Sequence, residues 1–130
     1  MTDVSRALYA FFSGFGLPAY PEQSVPKEYP DEHGVMQPVT PPYITYEIVQ
    51  PDRLRQAPIH ARIWYRSTTL VPVTVMAEVI RKEIDNGHTI PTETGAIRLW
   101  PDETFAQIQP ADEPDLKIAY LSMIIEADYD

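Results

Sequence analysis

A chain of 130 residues, 44% of them hydrophobic, fits one domain with a modest core. Ten basic against nineteen acidic side chains leave a net charge of −9, which disfavours a dedicated nucleic-acid binder and an anionic membrane surface. Without cysteine there is no disulfide framework, no thiolate zinc site and no thiol nucleophile, and an intracellular protein is the expectation.

The opening stretch "TDVSRALYAFFSGFG" reads as a helix, because Val4, Ala7, Leu8, Phe11 and Phe12 share one stripe. Thr2 or Asp3 is positioned to cap it, and Gly14 or Gly16 followed by Pro18 to end it. Its apolar run is interrupted by Ser5, Arg6 and Ser13, unlike the h-region of a signal peptide, and is too short to span a membrane. Residues 17 to 42 carry many of the 14 prolines and read as an extended connector that neither a helix nor a central strand can cross. "YITYEIVQ" then alternates, with Ile44, Tyr46 and Ile48 on one face and Tyr43, Thr45, Glu47 and Val49 on the other. "IHARIWYRS" repeats the pattern: Ile59, Ala61, Ile63 and Tyr65 oppose His60, Arg62, Trp64 and Arg66. The turn-like "PDRLRQAP" between the two suggests an antiparallel pair.

"TTLVPVTVMAEVIRKEIDNG" reads as the second helix, with Pro72 in its first turn and Gly87 at its end. Val73, Met76, Ala77, Ile80 and Ile84 form its buried stripe, and Glu78 and Lys82 an exposed pair. A short strand is expected around Ile97 to Trp100 and a second piece near Phe105 to Ile108. After the turn "ADEPD", the segment "KIAYLSMIIEADYD" reads as a long last strand. Together the elements predict a single α+β domain in the order α-β-β-α-β-β. Its sheet is mostly antiparallel, with both helices packed on one face.

The last strand is unusual because both of its faces are greasy. Ala119, Leu121, Met123, Ile125 and Ala127 are all apolar, but so is most of the opposite set of Ile118, Tyr120, Ser122, Ile124 and Glu126. Two helices on one side of a sheet cover only one of these sets. A neighbouring subunit is the natural cover for the other, since large exposed apolar patches mark interfaces. The competing expectation is that the Pro-rich connector folds back over it and leaves a monomer.

Catalytic signals are weak throughout. His33 lies beside Asp31 and Glu32, but a solvated turn is the simpler reading, and His60 and His88 read as structural or exposed. The acidic turns "PDET" and "PADEPD", including Asp112 and Glu113, are the type of carboxylate that stays solvated rather than serving as a general acid–base pair. No G-x-S-x-G elbow and no Gly-rich phosphate loop occurs. The expectation is therefore a non-enzymatic protein without metal or cofactor. Arg62, Trp64 and Arg66 on one strand face suit a partner-binding patch, and Tyr120 and Ile124 on the last strand join them as candidate contacts. Cross-strand pairing with acids such as Glu47 would explain the arginines equally well.

In order and texture the chain resembles the tail terminator or tail completion proteins of long-tailed bacteriophages. The features that carry this are "VSRALYAFFSGFGLPAYPEQSVP" at the start, "PPYITYEI" as first strand, the central helix, and "AIRLWPDETFAQIQPADEPDLKIAYLSMIIEADY" as closing unit. The resemblance implies a small α+β subunit of a ring, typically a hexamer, that caps the tail tube and joins it to the head connector or stopper protein while DNA passes through. It implies residence in the virion at the head–tail junction after assembly in the host cytoplasm, and it brings no catalytic residues and no cofactor. The alternative is a monomeric adaptor or connector-side head-completion protein that holds a partner through the Trp/Arg strand face or the Pro-rich loop.

Overall fold

A computed structural model describes residues 3–49, 51 and 55–129. The chain runs α1 (Asp3–Ser13), β1 (Ala19–Pro21), β2 (Glu28–Pro30), β3 (Met36–Pro38), β4 (Tyr43–Tyr46), β5 (Gln56–Arg66), α2 (Val71–Ile84), β6 (His88–Pro91), β7 (Gly95–Gln109) and β8 (Leu116–Tyr129). The α+β class holds, but the simple α-β-β-α-β-β order does not. Three short strands arise inside the Pro-rich segment, and β6 precedes the closing strands.

Both helices form where the apolar stripes require. Val4, Ala7, Leu8, Phe11 and Phe12 are all buried. The end of α1 is marked by the Gly14 N–H bonded to the Phe11 carbonyl at 3.2 Å, and Gly16 follows at φ +86°. Asp3 is already helical, and Thr2 lies outside the described residues. In α2, Val73, Ala77, Ile80 and Ile84 are buried and Met76 packs beside them. Pro72 occupies the first turn, where its missing N–H costs nothing. The i, i+4 ion pair on α2 joins Arg81 and Asp85 at 3.8 Å rather than Glu78 and Lys82.

One six-stranded sheet runs β1-β4-β5-β8-β7-β6, and β2 and β3 form a separate hairpin. Only the β1–β4 pair is parallel. β8 is central: it is paired to β5 from Leu116 to Glu126 and to β7 along most of its length. The expected pieces at 97–100 and 105–108 are one continuous strand, β7, whose register shifts between Pro101 and Ala106. The irregularity begins just after Pro101, which faces Met123, and takes in the acidic Asp102 and Glu103, residues that an uninterrupted ladder would not favour. Likewise the prolines of the connector confine β1 to a sheet edge and β2–β3 to an outlying hairpin.

The core lies between one face of this sheet and both helices. Ile44, Tyr46, Ile59, Ala61, Ile63, Ile97, Leu99, Leu121, Met123 and Ile125 supply the sheet side. Aromatic rings tie α1 to distant strands: Phe12 stacks on Tyr46 of β4 at 4.9 Å, and Phe11 lies 5.3 Å from the His88 ring of β6. His88 is thus a core-edge residue, also 3.3 Å from Glu83, as the structural reading expects.

Leu121 is fully buried at the centre of the central strand, whereas Ile108 on β7 is 48% exposed. Leu121→Ala is expected to cost about 2–5 kcal/mol and Ile108→Ala within about 0.5 kcal/mol, read from urea unfolding of the two variants.

Candidate interaction surface

Strand alternation sends a second set of side chains to the sheet face away from the helices. Across the register, Thr45 opposes Arg62, Arg62 opposes Tyr120 and Tyr120 opposes Gln107, while Trp64 opposes Ile118, and Pro58 and Trp100 flank Ile124. Ile118 is buried by its neighbours, while Tyr120, Ser122, Ile124 and Glu126 remain half-exposed. The second face of β8 is therefore mixed: Ile118 and Ile124 sit among aromatic and apolar neighbours, and Tyr120 and Ser122 among polar ones.

The Pro-rich segment does not cover it. β1 adds a strand beside β4, and Glu22 just beyond it makes an ion pair with Arg62. The β2–β3 hairpin is turned by Asp31, whose carboxylate accepts from the His33 and Val35 N–H groups at 2.9 and 3.0 Å and from Gln37 at 3.1 Å. Those bonds, the His33 and Val35 N–H first, hold the Asp31 carboxyl below its ordinary value. His33 itself is exposed, 3.7 Å from Glu32. Asp31 thus builds a turn, and among the described residues no group of three or more His, Asp or Glu side chains is placed to hold a metal ion.

A row of aromatic rings runs across the face from its β1 edge. Tyr20 meets Tyr43 edge-on at 5.9 Å, and Tyr43 meets Trp64 at the same spacing. The Trp64 Nε1–H donates to the buried Thr45 hydroxyl at 2.9 Å, so its polar handle is satisfied from within. Beside it the Arg62 guanidinium lies 4.9 Å over the Tyr120 ring and donates through Nε to Gln109 Oε1 at 3.0 Å. On the other side of Tyr120, His60 stacks at 5.1 Å. Glu47 accepts from the His60 backbone N–H at 2.9 Å, and the same oxygen lies 2.6 Å from His60 Nδ1.

The arginines are therefore neutralised inside the chain, though by other acids than Glu47. Arg62 uses Glu22. Arg66 reaches the β7–β8 turn, 2.5 Å from Glu113 and 3.1 Å from both carboxylate oxygens of Asp115. Those hydrogen bonds, Glu113 first, hold the guanidinium above its ordinary value, and the Arg66 bond in turn holds Asp115 below its own. Glu113 is thus an exposed ion-pair partner, and Asp112 is an exposed turn residue. Arg66 ends β5 opposite Leu116, two residues beyond Trp64 on the same face, and is engaged by the β7–β8 turn.

Trp100, missed in the sequence, anchors the opposite flank. Its ring lies 5.7 Å beneath the Arg98 guanidinium, and its Nε1 sits 3.2 Å from where a Cβ on Gly87 would stand. Gly87, at φ +85°, is thus required both to end α2 and to seat this indole. The signal was available: Ile97 and Leu99 alternate with Arg98 and Trp100. A second omission lies on α2, where Val71, Val75 and Val79 are 64%, 56% and 45% exposed along one outward stripe.

Comparison with family models, curated proteins and solved structures returns no match for this chain. No helix among the described residues is long and apolar enough to cross a membrane.

Because Asp115 titrates below its ordinary value of 3.8, its ionised form adds stability above that pH, and the contribution fades as pH falls through the lowered value. A carboxyl-detected NMR titration is expected to give an Asp115 midpoint below 3.8, and Arg66→Ala to return it toward that value.

Proposed function

We propose that this chain is a ring-forming structural subunit of a long-tailed bacteriophage: a tail terminator that caps the tail tube and joins it to the head connector. The observation that carries the reading is the second face of β8. Tyr120, between Arg62 and Gln107, and Ile124, between Pro58 and Trp100, stay partly exposed, and the Pro-rich segment reaches this face at Glu22, which pairs with Arg62. An apolar face left open at the centre of a sheet calls for a partner. The sequence resemblance supplies its kind, a ring of like subunits.

Work of this type needs no catalysis. It needs shape, unlike surfaces that repeat head to tail, and a wall past which nucleic acid slides. A net charge of −9 suits such a wall, because it repels phosphate instead of binding it. The subunit would function in the virion at the head–tail junction, with tail-tube protein on one side and connector or stopper protein on the other.

The alternative, a monomeric adaptor or connector-side protein, holds its partner through the Pro-rich loop or through Trp64 and the arginines beside it, Arg62 and Arg66. Both are engaged by the chain's own carboxylates, so either one would have to exchange an internal ion pair for an external one.

Negative-stain electron microscopy of the purified chain mixed with the tail-tube protein of the same phage tests the reading. Rings are expected at tube ends, with tubes that stop lengthening. Tubes that grow unchanged and carry no added density would overturn it.

A further inference from the structure

The valine stripe on α2 and the outer row of β8 match in length, and Lys82, with Glu78 beside it on the same side of the helix, offers a positive charge at the end of the stripe. Val71 to Val79 spans about 12 Å at helical rise. Tyr120 to Ile124 spans about 13 Å at strand rise. The three valines are exposed, and Tyr120 and Ile124, with Ser122 between them, are partly exposed in the single chain.

Charge continues the match beyond the apolar row. Lys82 follows one turn after Val79 on the same side of the helix, and it has no ion-pair partner among the described residues. Glu126 follows Ile124 on the outer face of β8. Together with Asp128, Arg98 and Thr89 it lines a shallow cleft of about 100 Å³. Two carboxylates face one guanidinium there, so the cleft is short of one positive charge.

We infer that the Val71–Val75–Val79 stripe of one copy seats on the Tyr120–Ile124 row of the next, running along β8 with the same polarity, and that Lys82 enters the cleft beside Glu126. The occupant is thus a second copy of this chain. The contact is heterologous, helix layer to sheet face, and such contacts close into a ring when the rotation between copies permits. It deepens the ring reading above and rests on it for the choice of occupant.

Light scattering across a concentration series tests this with single-face variants. Val75→Glu spoils the helix stripe and keeps the sheet face, and Ile124→Glu does the reverse. Each alone is expected to associate about tenfold more weakly than the unaltered chain or worse. Mixed one to one, they are expected to form a dimer that grows no further, because each contributes one intact face. A mixture that stays monomeric, or Ile124→Glu associating with itself as strongly as the unaltered chain, overturns the inference. Since Ile124→Glu lies on a strand and can fail to fold, the surface pair Lys82→Glu and Glu126→Lys repeats the test. Each is expected to weaken association several-fold and the double variant to restore it, whereas additive losses count against the contact. Rings on tail tubes that are indifferent to Val75→Glu overturn this interface and leave the terminator reading intact. Association through these faces without tube capping does the opposite. Absence of both self-association and rings overturns both.

Discussion

Everything in the fold is organised around β8 having hydrogen-bonded neighbours on both edges. A strand paired to β5 on one side and β7 on the other has its backbone groups satisfied, so its side chains are free to be apolar on both faces. The helices then take one face. Leu121, Met123 and Ile125 are sealed beneath α1 and α2, and no water reaches them. What happens on the other face becomes the central functional question of the molecule.

On that other face the chain satisfies its polar groups and leaves its apolar surface open. Trp64 donates inward to Thr45, Arg62 is held by Glu22 and Gln109, and His60 is held by Glu47. Such a surface is ordered before anything binds to it. Rigid aromatic rings with their hydrogen bonds already made lose little freedom on contact, which favours docking of a complementary apolar surface. Guanidiniums engaged in this way mainly fix the positions of Tyr120 and of the β7–β8 turn.

Proline shapes the β1 edge of the sheet. The segment between α1 and β4 contributes β1 as an edge strand and β2–β3 as a detached hairpin, because Pro cannot donate to a central ladder. The Asp31 turn stiffens the hairpin through three hydrogen bonds. The hairpin pairs with none of the strands of the main sheet.

The amino-acid sequence by itself determined both helices, the alternation of β4, β5 and β8, and the two-sided greasiness of the last strand, because each depends on spacing within a dozen residues. It also made a catalytic reading unattractive from residue types alone. The tertiary structure decided what depends on distant partners. Glu22 rather than Glu47 holds Arg62, since β1 joins β4 in parallel, a pairing that no local pattern encodes. Residues 95–109 form one strand because β8 templates both halves across a bulge. On α2, Val71, Val75 and Val79 recur with the same helical period as Val73, Ala77, Ile80 and Ile84. Periodicity defines two apolar stripes there, and only packing against the sheet selects which one is buried and which one stays exposed.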